Sequence, residues 1–184
     1  MRIVGGEFRG RPLATPRDSR IRPTTDRARE AVFNVLAHSF GDLPKGARVL
    51  DLFAGTGALG IEAVSRGAAH CLFIEESADG RGLIRDNVET FGLQGRTKIF
   101  RRDAARLGDA GTIQPFDLVF ADPPYDKGLG ERAIASARDG GWLKPDALCV
   151  VEESASAPFD AGVGFRLEDE RSYGDTVIRF LRLV

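Results

Sequence analysis

The chain has 184 residues, of which 42% are hydrophobic and 29% are charged, and its formal net charge is −1. These values are ordinary for a soluble globular protein of about one domain, and no apolar run approaches the ~20 residues that cross a membrane. Because the N-terminus also lacks the apolar segment of a secretory signal, we expect the protein to remain in the cytoplasm.

Basic residues are concentrated near the N-terminus. Residues 1–29 hold eight arginines and three acids, a balance of +5, whereas the remainder has a balance of −6. A basic arm on an acidic body favours a polyanionic partner such as a phosphate backbone, although heavy use of arginine throughout the chain could also produce the pattern. The arginines predicted to contact phosphates are Arg9, Arg11, Arg20, Arg22, Arg27 and Arg29.

The first 22 residues predict a loose hairpin followed by an irregular arm. Two short segments, 2–4 and 9–13, are bounded by glycines and followed by prolines. An isolated ribbon of this size is marginal in water, so part of the arm is expected to order only on binding. We therefore divide the chain into an arm of residues 1–22 and one main domain of residues 23–184.

A helix is predicted to begin at Pro23-Thr24-Thr25-Asp26, where hydroxyl side chains and an acid suit the first turn. Residues 48–52 then predict a buried strand that runs into a glycine-rich turn and a helix over residues 58–66. Gly55 and Gly57 allow positive φ and let a ligand lie against the main chain. The helix would direct its free N–H groups at that ligand.

Two cofactors compete for this turn. Gly55, Gly57 and Gly60 satisfy the dinucleotide fingerprint, and Glu75 ends the next strand at the distance expected of a ribose-binding acid. S-adenosylmethionine would use the same features. Asp51 favours S-adenosylmethionine, because a carboxylate suits an ammonium and a sulfonium but repels a pyrophosphate. A turn that only packs a helix on a sheet is the remaining alternative.

Strands and helices continue to alternate after this turn. Strands are predicted over residues 71–75, 97–100, 116–120 and 147–152, with helices over 77–91 and 129–138. This alternation predicts an α/β fold with a doubly wound, mainly parallel sheet. Residues 165–172 and 176–184 predict a C-terminal antiparallel hairpin, which brings the sheet to seven strands.

The cysteines and histidines indicate no special chemistry. Cys71 and Cys149 lie in apolar, strand-like runs, which favours two small core residues over a disulfide. His38 and His70 are far apart and have no cysteine neighbours, so no metal site is predicted.

Two more carboxylates follow predicted strands. Asp103 ends the third strand, where open α/β sheets bind ligands, although it could equally be a helix cap. Asp122-Pro123-Pro124-Tyr125 follows the fourth strand. The two prolines fix φ and remove two N–H donors, so this loop presents only acceptors in a stiff frame. Such a surface suits the NH₂ group of an aromatic base, with Tyr125 stacked on the ring.

These motifs resemble those of class I, Rossmann-like methyltransferases that modify exocyclic amines, whose motif is Asn or Asp, then Pro-Pro and an aromatic residue. More closely, the chain resembles the bacterial 16S ribosomal RNA guanine-N2 methyltransferase family over nearly its whole length. The segments that carry this resemblance are 2–6, 9–11, 22–27, 29–30, 51–60, 122–125 and 141–143. The N-terminal segments are the most diagnostic, because DNA adenine methyltransferases share the glycine loop and the Asp-Pro-Pro-Tyr motif.

The resemblance implies an enzyme that binds S-adenosylmethionine and methylates one guanine of small-subunit ribosomal RNA, free or in an assembling 30S particle. It implies that Glu75 binds the ribose of the cofactor and that Asp103 binds the adenine amine. The implied cofactor-binding residues are Asp51, Phe53, Gly55, Gly57, Glu75, Asp103 and Ala104, and the implied catalytic residues are Asp122, Pro123, Pro124 and Tyr125. We expect a monomer without a metal or membrane partner.

Three other functions compete with this one. A DNA adenine-N6 methyltransferase shares both motifs but would normally need an additional segment to read and flip its target. An NAD-dependent dehydrogenase gives no role to the Pro-Pro loop. A non-catalytic RNA-binding assembly protein would retain its cellular role without Asp122.

Overall fold

The computed structural model describes residues 1–17 and 25–184, which form an α/β fold around one sheet of seven strands. The helices are α1 (Asp26–Ser39), α2 (Ala58–Ser65), α3 (Ala78–Thr90) and α4 (Leu129–Asp139), and a short 3₁₀ helix spans Ala104–Arg106. The strands are β1 (Arg48–Leu52), β2 (His70–Ile74), β3 (Thr97–Phe100), β4 (Phe116–Ala121), β5 (Leu143–Ser154), β6 (Phe165–Tyr173) and β7 (Thr176–Leu183). These bounds confirm the predicted alternation.

The strand order is β3-β2-β1-β4-β5-β7-β6. The first five strands in this order are parallel, whereas β7 pairs with β5 and with β6 in antiparallel fashion. The C-terminal hairpin therefore extends one edge of a doubly wound sheet, as predicted. Because the order reverses between β1 and β4, the carboxyl ends of these two strands flank the crevice in which such sheets bind ligands.

Buried side chains alternate between the two faces of the sheet. On β1, Val49 packs into a cluster with residues of α1, α2 and α3, whereas Leu50 and Leu52 pack into a second cluster with residues of α4. The same period of two continues through β2, β4 and β5. Helices α1, α2 and α3 thus cover one face, and α4 covers the other.

Two helices begin at the residues that the sequence predicts. The hydroxyl of Thr25 accepts a hydrogen bond from Ala28 N at 3.1 Å, and the hydroxyl of Ser77 accepts one from Gly80 N at 3.0 Å. Each hydroxyl satisfies an N–H group that the first helical turn leaves without a partner. Pro23 and Thr24 lie outside the described residues.

The first 17 residues pack against the main domain. A single bridge joins Arg2 and Pro12, so the predicted hairpin is a loose one. Ile3, Phe8 and Leu13 are nonetheless buried in the core cluster that contains α1, α2 and α3. Residues 1–17 are therefore held by the main domain itself, and the expectation that part of the arm orders only on binding remains a prediction for the rest of the arm. The boundary at residue 22 lies outside the described residues.

Candidate active site

A cavity of about 900 Å³ lies at the carboxyl ends of the parallel strands. From the sequence-predicted site it is lined by Phe53, Gly55, Glu75, Asp103, Ala104, Asp122, Pro123, Pro124 and Tyr125. The turns after β1, β2, β3 and β4 therefore meet at one site, because parallel strands end at the same edge of a sheet.

Glu75 is held in place by two backbone N–H groups. Its Oε1 accepts a hydrogen bond from Gly55 N at 2.7 Å, and its Oε2 accepts one from Ser77 N at 2.9 Å. The carboxylate thereby joins the glycine loop to the start of α3. Each carboxylate oxygen has a further lone pair, so the group can also accept hydrogen bonds from ribose hydroxyls.

The glycine loop uses left-handed backbone at three positions. Phe53, Gly55 and Gly57 have φ values of 53°, 60° and 80°. Such a conformation is uncommon for a phenylalanine and typical of strained ligand-binding turns. Phe53 and Gly55 line the cavity.

Gly57 lies behind the cavity wall rather than in it. A Cβ atom added there would be 3.2 Å from Ile84 and 3.2 Å from Phe73, both of which are core residues. Unlike Gly55, the implied cofactor-binding residue Gly57 is therefore not part of the cavity wall. Gly57 is needed for the turn and for the packing of α2 and α3.

Asp51 also lies behind the loop. Its side chain is buried, and its Oδ2 accepts a hydrogen bond from Gly60 N at 3.0 Å in the first turn of α2. Burial raises the pKa of Asp51 well above its ordinary value, and the nearby acids Asp122 and Glu75 act in the same direction. The structure thus corrects the expectation of a direct cofactor ligand, because Asp51 supports the glycine loop.

Asp103 is a helix cap and also lies in the cavity wall, so its position is compatible with both of the roles that the sequence left open. It lines the cavity at the end of β3, and its Oδ1 accepts a hydrogen bond from Ala105 N at 2.9 Å. The short 3₁₀ helix that it caps was not predicted. Ala104 is buried beside it and forms part of the cavity wall.

The Asp122–Tyr125 loop is anchored to the C-terminal half of the sheet. The Tyr125 hydroxyl donates a short hydrogen bond to Glu152 Oε1 and lies 3.1 Å from Thr176 Oγ1. Asp126 N donates to Glu153 Oε1 at 3.1 Å. Burial and the bond to Glu152 raise the pKa of Tyr125, so its hydroxyl stays protonated and fixes the ring.

Several cavity residues were not identified from the sequence. They include Thr25 and Ala28 at the start of α1, Glu152 near the end of β5, and Tyr173, Thr176 and Ile178 in the C-terminal hairpin. Glu152 could have been found, because it ends the predicted strand 147–152 as Glu75 ends the predicted strand 71–75, and the parallel pairing with β4 stops at the residue before it. The hairpin residues depend on long-range pairing, which spacing along the chain does not reveal.

The cavity is strongly acidic. Its described lining residues include six carboxylates, Glu75, Glu76, Asp79, Asp103, Asp122 and Glu152, against the single guanidinium of Arg102. This charge attracts a ligand that carries an ammonium and a sulfonium and disfavours a pyrophosphate. The cavity therefore fits S-adenosylmethionine better than a dinucleotide.

The arginines of the predicted RNA surface differ in their placement. Arg9, Arg11 and Arg27 are exposed, whereas Arg20 and Arg22 lie outside the described residues. Arg29 is fully buried and paired with Glu62 and Asp26, so the structure corrects the expectation that it contacts RNA.

Among the residues that the structure describes, no helix is long and apolar enough to span a membrane. No group of three or more His, Cys, Asp or Glu side chains in these residues could hold a metal ion.

Comparison with known proteins identifies the family. The family described as Conserved hypothetical protein 95 matches residues 1–182. The chain belongs to this family. Its fold and family make it a Rossmann-like, S-adenosylmethionine-dependent methyltransferase, which confirms the resemblance drawn from the motifs.

Named relatives and a solved structure agree with this assignment. Ribosomal RNA small subunit methyltransferase D of Escherichia coli is 44% identical over 154 residues, which cover 83% of this chain and 74% of that protein. The protein of the same name from Haemophilus influenzae is 33% identical over 176 residues, covering 95% and 89%. The solved structure of the Escherichia coli protein yhhF shares 35% identity and a TM-score of 0.83, covering 100% of this chain and 97% of that one.

Proposed function

We propose that this methyltransferase transfers a methyl group from S-adenosylmethionine to the exocyclic N2 amine of a guanine in small-subunit ribosomal RNA. The observation that carries the proposal is the position of the Asp122–Tyr125 loop, which forms the wall of an acidic cavity beside the glycine loop and Glu75. The names of the relatives from Escherichia coli and Haemophilus influenzae support the choice of RNA.

The cofactor side of the cavity is formed by the turns after β1, β2 and β3. Glu75 is oriented by Gly55 N and Ser77 N and would accept hydrogen bonds from ribose hydroxyls. Asp103, which lines the same cavity, would accept a hydrogen bond from the adenine amine. S-adenosylmethionine supplies the electrophilic methyl group, and the surrounding carboxylates favour its positive charge.

The target side is formed by the loop after β4. An exocyclic amine is a poor nucleophile because its lone pair is delocalised into the ring. Asp122 and the carbonyl oxygen of Pro123 would each accept one N–H of this amine, which frees the lone pair and directs it away from the loop. Pro123 is buried and has a fixed φ, so the two acceptors keep a constant spacing.

Tyr125 supplies a flat surface for the base. Because its hydroxyl is bonded to Glu152 and lies beside Thr176, the ring is held in one orientation. A base extruded from RNA can stack on such a ring, which is worth about 1 to 3 kcal/mol per base. The exposed Arg9, Arg11 and Arg27 are available to bind phosphates around the target.

The test is to incubate the protein with S-adenosylmethionine carrying a labelled methyl group and with small-subunit RNA or particles from cells that lack the protein. Mass spectrometry of the digested nucleosides should then show labelled N2-methylguanosine. DNA of the same cells serves as the competing substrate. Label in N6-methyladenine of DNA, with none in guanosine, would reject the proposal in favour of a DNA adenine methyltransferase.

A further inference from the structure

Glu152 lies on β5, the strand next to β4, and is beside the Asp122–Tyr125 loop. Ala121 and Val151 are the last residues that pair between β4 and β5, and Asp122 and Glu152 are the residues that follow them in the chain. Neighbouring strands are about 4.8 Å apart, and both residues line the same cavity. Two carboxylates are thus placed side by side on the target half of the site.

The two oxygens of Glu152 have different surroundings. Oε1 accepts the hydrogen bond from the Tyr125 hydroxyl, which fixes the orientation of the carboxylate. Oε2 accepts no hydrogen bond from any residue in the ranges 1–17 and 25–184. Glu152 is half-buried and lines the cavity, so its carboxylate is within the site and has an oxygen to offer to a ligand.

The Watson–Crick edge of guanine carries two neighbouring donors, N1–H and the N2 amine. Adenine differs at the ring position, because its N1 has a lone pair and no hydrogen. A flipped or single-stranded base is read by hydrogen bonds to this edge. A surface composed of Asp122, the Pro123 carbonyl and Glu152 consists of acceptors only and therefore matches two adjacent donor groups.

We propose that Glu152 accepts the N1–H of the target guanine and thereby selects guanine over bases whose N1 is an acceptor. This inference rests on the proposed function. A base with a lone pair at N1 would face the carboxylate without a proton between them, which leaves a polar pair unsatisfied and adds repulsion. Glu152 would thus supply the base selectivity that the Asp-Pro-Pro-Tyr motif alone lacks.

The competing role for Glu152 is to position Tyr125 and nothing more. The variant Glu152→Gln separates the two roles, because an amide oxygen can still accept the hydrogen bond from the Tyr125 hydroxyl. The amide NH₂ would then occupy the place of Oε2. It would oppose the N1–H of guanine but could donate to a base with a lone pair at N1.

The experiment compares two bases at the position that the wild-type enzyme methylates. One small-subunit RNA carries guanine there, and the other carries 2-aminopurine, which has the same 2-amino group but an unprotonated N1. For the wild type we expect kcat/KM at least about tenfold higher with guanine. For Glu152→Gln, the ratio of kcat/KM with guanine to kcat/KM with 2-aminopurine should be at least about tenfold lower than for the wild type.

Glu76→Gln is the matched control, because it removes one carboxylate from the wall of the same cavity at the end of β2. It should leave the base ratio unchanged. If Glu152→Gln lowers both rates equally, Glu152 acts only through Tyr125 and the inference is overturned. The same holds if the wild type methylates both bases equally, and in that case the proposed function stands. Absence of any guanine methylation would overturn both.

Discussion

Arg29 and Glu62 form a fully buried ion pair between α1 and α2, with 2.9 Å between Nη1 and Oε1. The Glu62 carboxylate also accepts hydrogen bonds from Val4 N and Gly5 N, each at 2.9 Å, and from Arg66 at 2.9 Å. The guanidinium of Arg29 donates to the carbonyl oxygen of Arg2. One buried pair therefore ties the N-terminal arm to both helices.

Replacing one member of this pair should destabilise the protein. Arg29→Met leaves the Glu62 charge buried with fewer partners, and we expect it to lower the free energy of unfolding by about 3 kcal/mol. Arg27→Ala, two residues away and exposed, should change it by no more than about 0.5 kcal/mol but should weaken RNA binding. Urea unfolding and RNA titration of both variants check this, and equal stability of the two would show that the pair is not structural.

The arm also determines how RNA binding should depend on salt. Arg9 is exposed, and Arg9→Ala should reduce the slope of log K against log salt by about 0.7 to 0.9, the value for one phosphate contact. The guanidinium of Arg11 lies 4.6 Å from the centre of the Phe91 ring and donates to Thr90 O. Because Arg11 is also exposed, Arg11→Ala should reduce the salt slope in the same way. Because it also removes the contacts with Phe91 and Thr90, it should lower the melting temperature of the protein. If neither replacement changed the slope of log K against log salt, the RNA would have to bind a surface other than the arm.

Deleting the whole arm would be a less informative test. Ile3, Phe8 and Leu13 belong to the core, so removal of residues 1–22 would expose apolar surface and lower stability together with activity. Single arginine replacements leave that core in place.

The buried carboxyl of Asp51 should make stability depend on pH. Its pKa is raised in the folded state by burial, whereas the unfolded chain has an ordinary value of about 3.9. Between these two values the folded state holds the proton that the unfolded state has lost, so the stability falls as pH rises through this window.

Asp51→Asn keeps an oxygen for Gly60 N but removes the titrating group, and its stability should therefore lack this decline. We expect the free energy of unfolding of Asp51→Asn to rise relative to that of the wild type as pH increases above the ordinary aspartate pKa of about 3.9. Denaturant unfolding at several pH values measures the difference. The exposed residue Asp86, changed to Asn, is the control for loss of one charge. Parallel pH curves for wild type and Asp51→Asn would contradict the assignment.

Local patterns were sufficient to predict most of the fold. The strand at residues 97–100 has the predicted bounds, and Thr25 and Ser77 cap their helices, because caps and apolar spacing act over a few residues. The strand β5 is longer than the predicted 147–152, since its pairing with β4 and β7 extends it to Leu143–Ser154.

The cavity residues that the sequence predicts are those in the turns that follow strands of the parallel sheet. Glu75, Asp103 and Asp122 each follow a strand and line the cavity. The prediction that Arg29 contacts RNA is wrong, because the sequence does not show that this arginine is buried. Its partner Glu62 is 33 residues away, so the pairing is not visible as a local pattern. Asp51 and Gly57 are predicted to bind the cofactor but do not line the cavity, because spacing along the chain cannot distinguish the two sides of a turn.

The most direct test of the account is single-turnover methylation of the same small-subunit RNA by wild type and by Asp122→Asn, with S-adenosylmethionine affinity measured in parallel. Asparagine keeps the shape of aspartate but loses its charge and turns NH₂ donors toward the target amine. A hydrogen bond to a charged group is worth roughly 1.5 to 3 kcal/mol, so we predict a rate lower by about one to two decades with little change in cofactor affinity. An equal rate of methyl transfer by the two enzymes would contradict the role of Asp122 and, with it, the proposed mechanism.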